Sequence, residues 1–588
     1  MTTIQEALTI AVRHHQGGRL EMAADIYRQI LRVAPRHPDA LHLMGIALRR
    51  RQPLEAARLI REALTQNPEL TEAHLNLGNV LQDLGRIGDA AACYRRAIAL
   101  RPDFDLALPG LAFCLRLLGR LGEAATIYRR AVALGPEVAE TRNGLANCLQ
   151  DDKRYDEAVS GYRAALALDP FHASAGNNLS IALRELGRIA EAERWQRRAI
   201  ARDPTFAAAH SSLGITLQEA GRLEEAVACQ AHALVCDPGF TAAYNNLGNS
   251  RQAQNRLAEA ILQYRRALRL DPASPDAHRN LGIGLLLDGQ FSEGWREYEG
   301  RLRCKDAPVL ADLPKPRWTG EPLAGKRVLL HSEQGLGDSI QFCRYAPMIA
   351  ARGGRVVLGV QPALQRLMKG VVRPDAILSG SVPLDAFDLH VQLLSLPLLF
   401  GTTLESIPAR VPYLFPEPEL AAQWAERLSP HQGLRVGLVW AGSPGHGNDR
   451  NRSLRLEAFA ALSRLPNLTL FSIQKGPSEG LAATPPAGMR LISLSAEIRD
   501  FADTAAIAAN LDVIVCVDTS VAHLCGALGR PTWVLLPFAP DWRWLLGRDD
   551  TPWYPTMRLF RQNRPGDWEE VLERVEEALR AKAAALPR

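Results

Sequence analysis

Small, apolar and polar positions recur on a fixed beat through the first half of the chain. A proline returns every 34 residues at Pro68, Pro102, Pro136, Pro170, Pro204, Pro238 and Pro272, with Pro35 preceding them by 33. Ten residues after each stands a small residue: Gly45, Gly78, Ala112, Ala146, Ser180, Gly214, Gly248 and Gly282. Twelve further on comes a second, at Ala90, Ala124, Ala158, Ala192, Ala226 and Ala260. An aromatic often follows four later, at Tyr94, Tyr128, Tyr162, Tyr264 and Tyr298. A period near 34 predicts stacked helical hairpins. Two helices approach closely only where a small side chain lies between them. The tyrosine fills the gap between one hairpin's second helix and the next hairpin's first. The proline, with no backbone N–H, ends a helix, as in Leu168-Asp169-Pro170-Phe171 and Leu270-Asp271-Pro272. The reading is an all-α solenoid over residues 1–305, about nine units long, with an extended concave surface suited to another chain.

After Cys304 the beat stops. Residues 306–325 carry Pro308, Pro314, Pro316 and Pro322 around Trp318 and read as a linker or docking segment. Beyond them β-branched runs alternate with helical stretches. Arg327–His331 and Val356–Val360 read as strands around a helix at Ile340–Ala351. A second series runs Val436–Trp440 strand, Leu456–Leu465 helix, Leu468–Ile473 strand, Thr504–Ala509 helix, Val513–Val517 strand, Val521–Leu528 helix and Thr532–Leu536 strand. Such alternation implies parallel sheets with crossover helices. It predicts two Rossmann-like α/β lobes, 326–432 and 433–588, facing a cleft, with Trp568–Ala584 packed back across one of them.

Composition narrows the functional classes. A net charge of +5 on 588 residues supports no polyanion or nucleic-acid partner. The nine cysteines show no CxxC or zinc spacing and read as free thiols in a reducing compartment. Met1-Thr2-Thr3-Ile4-Gln5-Glu6 lacks the features of a secretory leader. No apolar run is long enough to span a membrane. The expected location is the cytoplasm.

Three segments carry candidate chemistry. His331-Ser332-Glu333-Gln334-Gly335-Leu336-Gly337-Asp338 leaves a strand and opens a helix. Gly335 and Gly337 allow a tight turn and close ligand approach, and Asp338 is a candidate acid or base as well as a candidate helix cap. In Val513-Ile514-Val515-Cys516-Val517-Asp518-Thr519-Ser520-Val521-Ala522-His523 a buried strand ends in an acid, two hydroxyls and a new helix, an anion site in form. His523 reads either as a member of that site or as a core histidine bonded to a loop. The glycine-rich loop that runs from Val439 through Ser443, Arg450 and Arg452 to Ser453 brings two guanidinium forks to the same strand edge, where doubly wound sheets bind ligands. A solvated loop is the alternative. Lys475 leaves the edge of the next strand. In the repeats, Asn76, Asn178, Asn246 and Asn280 stand two residues before the small position. Their amides either hold an extended peptide by its backbone or bridge neighbouring helices.

The 34-residue pattern resembles tetratricopeptide repeats. Ala73-His74-Leu75-Asn76-Leu77-Gly78-Asn79-Val80-Leu81 resembles the repeats of the O-linked N-acetylglucosamine transferases, which implies an asparagine ladder for protein substrates. Residues 326–565 resemble the heptosyltransferase-like glycosyltransferases, inverting enzymes of the GT-B type that need no metal. That resemblance implies Asp338 as catalytic base. It also implies that Asp518-Thr519-Ser520-Val521-Ala522-His523, with Ala527-Leu528-Gly529-Arg530-Pro531, is the donor-phosphate segment. Ser520 stands where that family has glycine, and Asn451-Arg452-Ser453 replaces its lysine-and-tryptophan loop.

The resulting expectation is a cytoplasmic, nucleotide-sugar-dependent glycosyltransferase whose repeats hold a protein acceptor. No metal or other cofactor is expected, the nucleotide sugar being a co-substrate. Fusion of repeats to a transferase resembles bacterial flagellin glycosyltransferases, so flagellin or another surface protein is an implied acceptor. A non-catalytic scaffold with a retained transferase fold, and a transferase acting on glycolipid or polysaccharide, remain open.

Overall fold

The computed structural model describes residues 3–305, 313–371, 375–380 and 382–585. Residues 306–312 of the expected linker, Pro308 among them, lie outside the described residues. Among the described residues, eighteen α-helices follow one another from Ile4–Gln16 to Phe291–Tyr298. The chain divides into two compact units, Met1–Phe240 and Thr241–Arg588.

Five of the eight hairpin junctions share one chemistry. The side-chain oxygens of Asn67, Asp169, Asp203, Asp237 and Asp271 accept the backbone N–H two residues on at 2.9–3.1 Å, closing the turn around the periodic proline. At the other end of most hairpins the chain enters the left-handed region. Gly85, Gly119, Gly187, Gly221 and Gly289 hold φ between 72° and 81°, while Lys153 and Asn255 take 61° and 60° at the same point of the period.

The small positions do what their size demands. A Cβ on Gly78 would come within 2.7 Å of the Tyr94 ring, and one on Gly110, in the next hairpin, would meet the same ring at 2.7 Å. One tyrosine thus fills the gap between successive hairpins. The structure adds a polar clamp: Tyr94, Tyr162 and Tyr264 donate to Asn79, Asn147 and Asn249 at 2.7–2.9 Å, with Gln82, Gln150 and Gln252 accepting at 3.0–3.2 Å. In the helices Ile189–Arg202 and Leu223–Cys236 fully buried Gln196 and Gln230 replace the aromatic.

The second unit opens with two hairpins, Thr241–Ala253 with Leu257–Leu270 and Pro275–Leu287 with Phe291–Tyr298, and continues into two parallel sheets. The first sheet contains β1 (Arg327–His331), β2 (Arg355–Gly359), β3 (Ala376–Leu378) and β4 (Leu389–Gln392) in the order β3-β2-β1-β4. The second contains β5 (Leu434–Val439), β6 (Leu468–Ser472), β7 (Ile492–Ser493), β8 (Val513–Val517), β9 (Thr532–Leu536) and β10 (Met557–Arg561) in the order β10-β9-β8-β5-β6-β7. Both orders reverse direction once, between β1 and β4 and between β5 and β8. Ligands of open α/β sheets bind at such points, beyond the carboxyl ends of the strands. Trp568–Ala584 packs Val571, Val575 and Leu579 onto the second sheet's core.

The last hairpin is built into the α/β core. Phe291, Trp295 and Tyr298 are buried with Phe342, Trp542 and Trp553, and the Trp295 ring stands edge-on to Trp542 at 5.2 Å. Trp295 Nε1 donates to Thr402 O at 3.1 Å. Arg301 extends its side chain to Glu333, Nη2 to Oε1 2.8 Å, with both side chains at most 3% exposed.

Several elements differ from the sequence expectation. The helix expected at Ile340–Ala351 starts earlier, at Leu336, and breaks into Leu336–Phe342, a 3-10 turn and Ala346–Ala351, with Pro347 in the first turn of the last piece. The stretch expected as helix at 456–465 is a 3-10 segment, Leu456–Arg464. β3, β4, β7 and β10 carry no strong β-branched run, and sheet pairing rather than propensity makes them strands.

Candidate functional site

The turn after β1 and the turn after β8 meet. A Cβ on Gly337 would come within 2.8 Å of the His523 ring and 3.5 Å of Ser520 Cα, so only glycine allows this approach. Gly335 is the N-cap of the helix Leu336–Phe342, and Asp338 is its third residue, not its cap. The carboxylate still serves the cap: Oδ2 accepts Gly335 N at 2.8 Å.

The other carboxylate oxygen is paired with Arg543, a residue the sequence reading passed over. Arg543 is buried. Its Nη1 donates to Asp541 Oδ1 at 2.8 Å, its Nε to Gln341 Oε1 at 2.7 Å, and its guanidinium lies 4.2 Å from the Trp542 ring centre. An acid and an arginine inside Asp541-Trp542-Arg543-Trp544 were the available signal. Two ionisable groups in so aromatic a run need partners in the interior. Just beyond, Leu545 takes φ 53°, a left-handed conformation for a branched residue, held by Arg561 Nη1 on Leu545 O at 2.9 Å.

Burial raises the pKa of Asp338 and Asp541 adds to the rise; Arg543, the Gly335 N–H and His446 oppose it. Asp518 is likewise raised, first by burial and then by Asp541, against the pull of Arg452 and Arg543. His523 is held well below its ordinary pKa by burial and by Arg543, Arg344 and Arg452, so its ring is neutral at pH 7. That ring bonds Tyr554 OH through Nδ1 at 3.1 Å and stacks on Trp544 at 5.4 Å. It is a packed histidine that also forms the floor beneath Gly337.

Thr519 is the N-cap of Ser520–Ala527, and its buried Oγ1 has no hydrogen-bond partner among the described residues. A polar atom left open at a helix start, next to Ser520, suits an anionic or hydroxylic ligand.

The glycine loop folds back on itself. Gly442 N donates to Ser453 Oγ at 2.9 Å, Ser453 Oγ to Asp449 Oδ1 at 2.8 Å, and Arg452 Nε reaches Asp449 at 3.4 Å. Buried Gln474 fixes the start of the loop by accepting Trp440 N and Ala441 N, each at 3.0 Å. His446 in this loop feels the charges of Arg452, Asp541, Asp449 and Asp338. The loop therefore borders the same place as Asp338, Asp518 and Arg543.

The remaining expected residues have other surroundings. Ser443 and Arg450 are exposed on the loop. Lys475 is held by Glu479 at 2.9 Å and Ser495 O at 3.0 Å. Of the repeat asparagines, Asn76 and Asn178 belong to the first unit and Asn246 and Asn280 to the second. All four are half-buried. Asn178 Nδ2 donates to Asn147 Oδ1 at 2.9 Å and Asn280 Nδ2 to Asn249 Oδ1 at 3.1 Å, the same oxygens that Tyr162 and Tyr264 address. Asn76 meets His42 at 3.0 Å. These three amides bridge neighbouring repeats.

Residues 75–139 and 137–205 match tetratricopeptide repeat family models and residues 248–288 a TPR repeat model. The helices of these segments are tetratricopeptide repeats. Protein FlbA of Caulobacter vibrioides is 28% identical over 315 residues, 47% of this chain and 51% of FlbA. The chain thus spans about half the length of that relative. Among solved structures, the APC/C hetero-tetramer Cut9-Hcn1 is similar at TM-score 0.37 and 16% identity over 48% of this chain and 55% of that one. PilF of Pseudomonas aeruginosa is similar at TM-score 0.31 and 18% identity over 35% of this chain and 94% of that one. Among the described residues no helix is long and apolar enough to cross a membrane.

Proposed function

We propose that the chain is a GT-B glycosyltransferase that moves a sugar from a nucleotide-sugar donor to a hydroxyl of a protein held by the tetratricopeptide repeats. One observation carries this reading. The turns leaving β1 and β8, each at the reversal point of its sheet, meet at Gly337 and His523, and Asp338, Asp518 and Arg543 gather there.

The helix start at Thr519 and Ser520, with the open Thr519 hydroxyl, takes the donor diphosphate. Arg452 and Arg543 neutralise the charge that grows on it as the anomeric C–O bond breaks. The acceptor oxygen attacks the anomeric carbon from the opposite face and gives its proton to Asp338. Burial, by raising the pKa of Asp338, makes it a stronger base than an exposed aspartate. The resemblance of the architecture to flagellin glycosyltransferases makes flagellin the first acceptor to try.

A second reading, a scaffold with no turnover, is favoured by one feature: both carboxylate oxygens of Asp338 already have partners, Gly335 N and Arg543. Transfer to a protein acceptor from a panel of nucleotide sugars separates the two. The enzyme reading expects turnover, and expects Asp338→Asn to lower it about 100-fold or more while calorimetric donor affinity is kept or rises. Donor binding without transfer to any acceptor supports the scaffold. An Asn variant that keeps more than a tenth of wild-type turnover removes Asp338 from the chemistry.

A further inference from the structure

The hairpin Ala207–Glu219 with Leu223–Cys236 is unlike its neighbours. Among the described residues its apolar cluster comprises buried Leu213, Leu217 and Ala226, with Ile200 and Cys229 against them. At the tyrosine position buried Gln230 bonds Ser211 instead, Nε2 to O 2.9 Å. This hairpin thus places a polar pair where most of its neighbours place an aromatic.

At one edge of it three metal-binding side chains converge. His210 comes from the first helix; His232 and Cys236, one turn apart, come from the second. One donor atom of each lies within 4.8 Å of the other two, and the two imidazole centres are 4.4 Å apart. His210 Nε2 lies 2.9 Å from Pro204 O. The same contact recurs at His74 with Pro68 and at His278 with Pro272, 3.0 Å each, so the repeat itself orients this ring. A ring N–H given to a carbonyl leaves Nδ1 unprotonated, as a metal ligand must be. In the last hairpin the corresponding nitrogen of His278 faces the Glu297 carboxylate on the paired helix, which accepts from it. In this hairpin the paired helix offers an imidazole and a thiol.

We propose that His210, His232 and Cys236 bind a zinc-class ion, with a fourth position left to water. Two nitrogens and one thiolate suit a borderline-soft, tetrahedral ion, with metal–ligand distances of about 2.0–2.3 Å. The separation of 4.8 Å is about an ångström wider than such a site requires. His232 is exposed and Cys236 half-buried, so both side chains have room to close it. On binding, the Cys236 thiol releases its proton to solvent and the ion joins the two helices. The ion adds a second link between helices to the one made by Gln230 and Ser211.

Cobalt(II) titrated into the full-length reduced protein tests the site. One equivalent is expected to give a thiolate-to-cobalt charge-transfer band and the visible bands of a tetrahedral ion, both bleached by zinc. Cys236→Ser should lose the charge-transfer band. His232→Ala, at an exposed position, should bind about tenfold more weakly or worse, with metal-free circular dichroism and Tm unchanged. Zinc should raise the Tm of the wild type and leave that of Cys236→Ser where it was. No band in the wild type, a band that survives in Cys236→Ser, or wild-type affinity in His232→Ala would overturn the proposal.

Discussion

Cutting the chain tests how its helical and α/β parts depend on each other. A fragment starting at Pro314 keeps every residue of both sheets. It loses Phe291, Trp295 and Tyr298, each at most 4% exposed in the intact chain. It also loses Arg301, leaving the Glu333 carboxylate, 1% exposed, without its cation. Breaking a buried ion pair from one side costs about 3–5 kcal/mol. Deleting one large buried aromatic costs about 3–5 kcal/mol. Even with imperfect additivity the four losses are on the order of 12 kcal/mol, comparable to the whole stability of a domain. A fragment starting at Thr241 keeps all four groups.

The 241–588 fragment should melt cooperatively and show the near-ultraviolet dichroism of packed tryptophans. The 314–588 fragment should bind a hydrophobic dye and melt without a sharp transition. The reasoning fails if the shorter fragment unfolds cooperatively within about 5 °C of the longer one, a gap worth only about 3–4 kcal/mol for a unit this large.

Two further tests address the repeats. Gly187→Ala, at φ 73°, should cost about 1 kcal/mol, and Lys153→Gly, at φ 61° in the matching position, should gain up to about 1 kcal/mol, both read from thermal melts; equal and opposite signs are the signature of the left-handed position, and no change in either would refute it. Asn178, Asn246 and Asn280 changed together to alanine should lower stability by about 1 kcal/mol for each bridging amide lost. An unchanged Tm with a raised acceptor KM would instead give these amides to a bound peptide.

The sequence announced the parts built on repetition and left hidden those built on single contacts. The proline period, the small positions and the tyrosines were legible because one solution recurs, and each copy confirms the others. The left-handed position after most first helices was also periodic, but Lys153 and Asn255 disguised it among glycines. The turns at Gly335–Asp338 and Asp518–Ser520 stood out because buried strands end there in acids and glycines. Arg543 did not, because its role depends on Asp338, 205 positions away. No local pattern encodes such a pairing. The core shared by Trp295, Trp542 and Trp553 was invisible for the same reason: the helical period runs on to the neighbourhood of Cys304 without marking that its last hairpin packs on the sheets.

The pairing of Asp338 with Arg543 makes a kinetic demand on the proposed mechanism. In the free protein Arg543 opposes the effect of burial and holds the Asp338 pKa down. A donor diphosphate at Thr519 and Ser520 draws the guanidinium toward its own oxygens and adds negative charge nearby. Both changes raise the pKa of Asp338 in the complex. A base acts only when ionised, so activity rises with pH through that pKa, and a raised pKa moves the acid limb to higher pH. The limb of kcat reports the complex and that of kcat/KM the free enzyme. In the wild type the kcat limb should therefore lie at higher pH than the kcat/KM limb. Arg543→Met removes the opposing cation from the free enzyme, so its kcat/KM limb should move up toward the kcat limb and the gap should close. Coincident limbs in the wild type, or a gap that persists in Arg543→Met, would mean that Arg543 does not govern the charge of Asp338 and that their pairing serves only to join the two turns.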